Sequence, residues 1–226
     1  MATTELHIDV EPGLRVSGLL QAPAQPHACY VFAHGAGAGM THAFMAAVAQ
    51  GLSERGIASL RYQFPYMERG SRRPDAPRLA HATVRAAVAE AARQLPGLAL
   101  FAGGKSFGGR MTSQAQALSP LPGVRGLVFV GFPLHPVGKP SDERATHLSD
   151  IAVPMLFLQG TRDELAQLDL LHPVVSRLGS RATLEVFEHA DHSFHVPVRS
   201  GRKDAQVVEE LLDRTTDWIR AVLDGQ

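Results

Sequence analysis

The 226-residue chain is 45% hydrophobic and carries 22 Lys and Arg against 22 Asp and Glu, a formal net charge of zero. That share of apolar residues is ample for a core, and the length fits one compact domain. The charge balance excludes the basic field by which a chain gathers nucleic acid or an anionic membrane surface, and it leaves self-association into a homo-oligomer open.

Cys29 is the sole cysteine, so no disulfide closes within the chain, and its place in the apolar run CYVFA reads as a buried small hydrophobe. The start MATTELHIDV lacks the basic head and apolar stretch of a secretion signal, and no run of about 18 apolar residues occurs anywhere. The expected compartment is the cytoplasm.

Segments around Glu5 to Val10 and Arg15 to Gln21, parted by Pro12 and Gly13, predict a short hairpin of unspecified register. The chain then alternates apolar bursts with helical periodicity. CYVFAHG is followed by a helix near His42 to Arg55, IASLRY by a helix near Asp75 to Gln94, and LALFAGG by a helix from Ser106 or Phe107 to about Ala117. VRGLVFVG and VPMLFLQG come next, then a helix near Leu168 to Leu178, the burst ATLEVFEH and a last helix near Lys203 to Val222. Near-continuous apolar strands separated by helices predict a mostly parallel sheet covered on both faces, with ligands bound beyond the carboxyl ends of the strands. The proline-rich segment from Pro133 to about Asp150 has no room for a large helical lid and is expected to wall the pocket.

FAGGKSFGGR, Phe101 to Arg110, admits two readings. A phosphate loop needs a glycine where this chain has Ala99, so that spacing fails. Gly104, Lys105, Ser106, Phe107 and Gly108 instead fit the turn that holds a nucleophilic serine between a strand and a helix. A plain helix cap by Ser106 is the structural alternative.

A serine hydroxyl needs a base, and the base needs a group that fixes its tautomer. Asp163 follows VPMLFLQG and His192 follows ATLEVFEH, in the order serine, acid, histidine. Asp163 is preferred over Glu164, Asp169 and Asp191 because it stands at the strand end, although it also suits a helix cap. His192 is preferred over His189 and His195, with Asp191 exposed and Phe194 anchoring the loop. The three histidines lack the partner pattern of a catalytic zinc site, and no cofactor is called for. An oxyanion site calls for backbone donors, expected from the amides of Phe107 and of Ala36 in HGAGAG, where His34 tethers the loop. Phe64 and Tyr66 are expected at the pocket mouth with Arg69, Arg72 and Arg73 facing solvent, and His135 at the wall. Arg61 or Arg110 is a candidate to meet an anionic substrate end.

Together, HGAGAG, RYQFPYMERG, GKSFGGR, GFPLHPVGKP, LFLQGTRDE and ADHSF resemble, from about Tyr30 to His195, the small hydrolase-like family related to dienelactone hydrolases. That family includes bacterial proteins, a testis-expressed animal protein and a subunit of a chromatin acetyltransferase complex. The resemblance implies a single-domain alpha/beta hydrolase over residues 1–226, with a mostly parallel central sheet, helices on both faces and no large lid. It implies a triad of Ser106, Asp163 and His192 and much less about substrate; serine in place of the cysteine nucleophile of dienelactone hydrolases proper points toward esterase-like acyl chemistry, and the short chain without a lid insertion toward a small or exposed acyl substrate. It also leaves a noncatalytic protein-interaction module as the alternative, and it does not separate esterase from thioesterase, lipase or peptidase.

Overall fold

The computed structural model describes residues 3–225; Met1, Ala2 and Gln226 lie outside the described residues. The Pro12–Gly13 turn closes the expected hairpin of β1 (Thr3–Glu11) and β2 (Leu14–Gln21). Its antiparallel register sets Ile8 opposite Val16 and Asp9 opposite Arg15, with an irregularity before Glu11. Ile8 and Val16 are the buried pair that selects this register, since a one-residue slip would turn both to solvent.

Each apolar burst forms a strand: β3 (Ala28–Ala33), β4 (Ile57–Tyr62), β5 (Leu100–Lys105), β6 (Val124–Val130), β7 (Met155–Gly160) and β8 (Ala182–Phe187). The helices between and after them are α1 (Ala43–Glu54), a one-turn α2 (Pro65–Glu68), α3 (Pro77–Gln94), α4 (Phe107–Leu118), α5 (Leu168–Leu178) and α6 (Asp204–Asp224). The short α2 carries no periodicity of its own and was not legible in the sequence; Pro65 at its first position starts it.

The eight strands lie in the order β1-β2-β4-β3-β5-β6-β7-β8. Among the described residues all pairs from β4 to β8 are parallel, and only the hairpin and its junction with β4 are antiparallel. Strand alternation divides the core in two. Cys29, Val31 and Ala33 of β3 join the apolar faces of α3, α4 and α5, while Ala28, Tyr30 and Phe32 join those of α1 and α6. On α1 that face is Met45, Val48, Ala49 and Leu52, the spacing of one helical stripe.

β3 lies between β4 and β5, so the chain crosses to one side of it and then to the other. This is the switch point at which an open parallel sheet leaves a crevice beyond its strand ends. Ala33 pairs with Gly104, which brings the loop after β3 beside the turn after β5.

The segment after β6 departs from the expectation. It forms a 3-10 turn, Glu143–Asp150, and buries Leu134, Ala145, Leu148 and Ile151 against the α4 and α5 side of the sheet. Those apolar side chains draw it away from the crevice, and it does not wall the pocket.

Candidate active site

At the end of β5 the backbone turns sharply into α4. Ser106 occupies φ 50°, ψ −114°, a region that side-chain-bearing residues rarely adopt. Its side chain makes no capping bond to the helix, so the plain-cap alternative fails. The turn is held by the Ser106 amide, which donates to Val130 at 3.1 Å, and by the Arg110 amide, which donates to Ser106 at 3.1 Å. The flanking glycines follow from close approach. A Cβ on Gly104 would lie 2.5 Å from the Ala33 oxygen, and one on Gly108 would lie 2.6 Å from the oxygens of both Ala33 and His34.

The Ser106 hydroxyl stands 2.9 Å from His192 Nε2, and His192 Nδ1 stands 2.6 Å from Asp163 Oδ2. The carboxylate only accepts, so Nδ1 carries the proton toward Asp163 and Nε2 is left to accept from Ser106. The Asp163 side chain is fully buried, while that of His192 is 25% exposed. Buried carboxylates need complete hydrogen bonding, and Asp163 has it. Oδ1 accepts from the Leu165 amide at 2.8 Å, and Oδ2 accepts from the Gln159 side-chain amide as well as from His192. Asp163 thus both shapes the turn after β7 and orients the histidine.

Gln159 was missed in the sequence. Its Oε1 accepts from the Phe132 amide at 3.0 Å, so it braces the Asp163 carboxylate against the end of β6. Nothing in a strand-end glutamine announces such a bridge. Lys105 lies inside the serine motif, and no role beside His192 was legible for it; its Nζ donates to the His192 main-chain oxygen at 2.5 Å and sits 5.7 Å from the Phe194 ring.

The competing residues fall elsewhere. Glu164 and Asp169 are exposed. Asp191, expected to be exposed, is half-buried, and its Oδ1 accepts from the amides of Ser193 and His195 at 2.8 and 3.0 Å, which folds the loop that carries His192. Phe194 anchors that loop as expected, buried at φ 64° between Phe44 and Phe187. His189 is exposed beside Glu188, and His195 faces Asp204 at 2.6 Å.

His34 tethers the loop after β3: its Nε2 accepts from the Phe64 amide at 3.1 Å, so Nδ1 donates to Gly35 at 2.8 Å. Burial holds its pKa below the ordinary histidine value. Ala36 borders the cavity together with Ser106. Phe107 is the first residue of α4, where an amide has no partner within the helix.

Several expectations are corrected by packing. Phe64 and Tyr66 are fully buried in an aromatic cluster with His34 and Phe107 rather than at the mouth. Arg61 is buried and donates to the Met40 oxygen, and Arg110 lies over the Phe107 ring; neither borders the cavity. His135 is buried with Nδ1 on the Pro136 oxygen and is no wall residue. Arg69, Arg72 and Arg73 do face solvent, with Arg69 paired to Asp75. Cys29 is buried, which pushes its thiol up to about 12.

The cavity over Ser106 has a volume of about 680 Å³, within the usual range for small-molecule sites. Its apolar wall comes from the first turns of α1 (Ala43, Phe44, Met45, Ala47), Leu165 and Val208 of α6.

An eight-stranded, mostly parallel sheet with a strained serine turn after β5 and no large lid defines an alpha/beta hydrolase fold. Residues 26–220 match the alpha/beta hydrolase domain family, and the chain belongs to that family. Solved structures share the architecture over nearly their whole length. A dienelactone hydrolase from Anabaena variabilis superposes with a TM-score of 0.80 at 19% identity, covering 97% of each chain. An alpha-beta serine hydrolase homologue from Coxiella burnetii gives 0.76 at 20% identity, covering 95% of this chain and 98% of its own. A serine hydrolase without lid from Xanthomonas campestris gives 0.75 at 21% identity, covering 96% and 95%. At these identities the likeness concerns the fold.

Proposed function

We propose that this chain is a carboxylesterase-like serine hydrolase, a single domain over residues 1–226, that cleaves a small ester or related acyl substrate without a cofactor. The observation that carries the reading is the unbroken relay from the Ser106 hydroxyl through His192 to buried Asp163, at 2.9 and 2.6 Å. Ser106 Oγ attacks the acyl carbonyl while His192 Nε2 takes its proton. Asp163 holds the ring in the competent tautomer and stabilises the imidazolium. The amides of Ala36 and Phe107 receive the developing oxyanion. Collapse of the tetrahedral species expels the alcohol, to which His192 returns the proton. Water, deprotonated by the same histidine, then releases the acid and restores Ser106.

The apolar cavity wall suits an apolar acyl or alcohol group. The lidless mouth supports a small or solvent-accessible substrate rather than a long triglyceride chain.

The test is labelling with a fluorophosphonate probe, followed by turnover of p-nitrophenyl esters of graded acyl length. Wild-type protein is expected to label at one residue and to hydrolyse short esters fastest, and Ser106→Ala to do neither while keeping its fold. Labelling that persists in Ser106→Ala would remove the nucleophile assignment. A wild-type protein inert to every acyl probe would favour the interaction-module reading.

A further inference from the structure

Lys105 is the last residue of β5 and immediately precedes the strained serine. As Ser106 turns toward the cavity, the lysine stem runs past Gly35, and its ammonium ends among three other strand ends. A Cβ added to Gly131, just beyond β6, would lie 3.0 Å from Lys105 Nζ and 3.3 Å from the His192 ring. A side chain at Gly131 would thus crowd both the ammonium and the imidazole.

The bonds of the base-bearing loop leave a gap that Lys105 closes. Asp191 accepts from the Ser193 and His195 amides, the Asp191 amide donates to His195, and the Arg162 amide donates to Ala190. The main-chain oxygen of His192 is taken instead by Lys105 Nζ at 2.5 Å, a charge-assisted bond. Among the described residues no carboxylate pairs directly with this ammonium. The groups that face it are Asp163 from the turn after β7, Asp191 and His192 from the loop after β8, and the Phe194 ring.

We propose that Lys105 is a positioning residue: by gripping the His192 carbonyl it ties the base-bearing loop to the nucleophile turn and keeps the imidazole in line with Ser106. This rests on the hydrolase reading above. Burial pushes the Lys105 amine down to about 8, against a smaller opposite pull from Asp163 and Asp191. The charged grip is therefore present below about pH 8 and is lost as pH rises through that value.

The experiment replaces the amine and then restores it. Lys105→Met and Lys105→Cys are expected to lower kcat/KM for a short p-nitrophenyl ester by about ten to a hundredfold, the range of one hydrogen bond to a charged group. Alkylating Lys105→Cys with bromoethylamine rebuilds a lysine-like side chain, and Cys29 is buried and held protonated, so the reagent meets one thiol. The thioether analogue, more acidic than lysine, is expected to recover activity and to move the alkaline fall of kcat/KM below that of the wild type. A purely structural lysine would leave that fall in place. Wild-type turnover in Lys105→Met, or an alkaline limb that does not move with the analogue, overturns the proposal.

A crystal structure of Lys105→Met gives a readout independent of turnover. The His192 ring is expected to leave hydrogen-bond distance of Ser106 Oγ, and a spacing unchanged from 2.9 Å overturns the inference. Inert wild-type protein would instead count against the hydrolase reading, while this structural outcome still decides the grip.

Discussion

Asp163 carries more contacts than any other side chain of the relay, and each has a separate role. Leu165 and Gln159 satisfy the buried carboxylate, and His192 receives its direction from it. Asp163→Asn replaces an acceptor beside Nδ1 by a group that can turn a donor toward it, which favours the tautomer with its proton on Nε2. We expect kcat for a short ester to fall on the order of 10³ to 10⁴-fold with KM little changed. A loss below tenfold would place the orienting function elsewhere. Gln159→Leu tests the brace behind it. The Phe132 amide loses its acceptor, and stability is expected to drop by about 1–3 kcal/mol in urea unfolding. An unchanged midpoint would show that another group replaces the glutamine.

Between elements, the decisive contact is the crossing of α4 over the end of β3. The helix can start directly after Ser106 only because Gly104 and Gly108 let two backbones meet without side chains. A methyl group at Gly108 meets two carbonyl oxygens, which belong to a strand and a tethered loop and cannot rotate away. Gly108→Ala is expected to cost about 1–3 kcal/mol, read as a lower urea midpoint, and to slow fluorophosphonate labelling through displacement of the serine turn. Labelling and midpoint both equal to the wild type would mean that the contact relaxes freely. The loop after β8 depends on packing of a different kind. Phe194 fills the space between Phe44 and Phe187, and its removal would unseat the loop that carries His192.

Across the whole molecule, one buried histidine, His34, and two half-buried ones, His81 and His147, resist protonation in the folded state and so work against stability in acid. Burial is the main cause of the lowered pKa of His34, His81 and His147; the Arg110 charge adds to it at His147, which is pushed down to about 4. The unfolded chain takes up these protons near pH 6.5, whereas the folded chain does not until lower pH. Between those values the unfolded state binds more protons, so stability falls as pH falls. Urea midpoints are expected to be lower at pH 5 than at pH 7, and His147→Gln to narrow the difference; equal midpoints would refute the assignment. Lys105 acts on the alkaline side. Its amine is lowered from 10.5 to about 8, so the folded chain gives up the proton first, and the penalty for burying the charge is relieved as pH rises between those values. Stability and activity should therefore move in opposite directions above about pH 8.

The alternation of apolar bursts and helical stripes, the glycine-flanked Ser106 and the order of Ser106, Asp163 and His192 were legible because each is a local property of the chain. Strand burial, helix periodicity and turn sterics act over a few residues and leave a pattern within them. What the sequence determined by itself was thus the fold class and the identity of the three relay candidates. The tertiary structure decided what surrounds them. Lys105 and His192 are 87 residues apart, and Gln159 meets Phe132 from a neighbouring strand 27 residues away. Phe64 and Tyr66 turned inward because His34 and Phe107 offered an aromatic enclosure, and α1 rather than the proline-rich segment became the cavity wall. The direction of a side chain at a strand end is set by whichever distant loop packs against it, and that choice has no local signature.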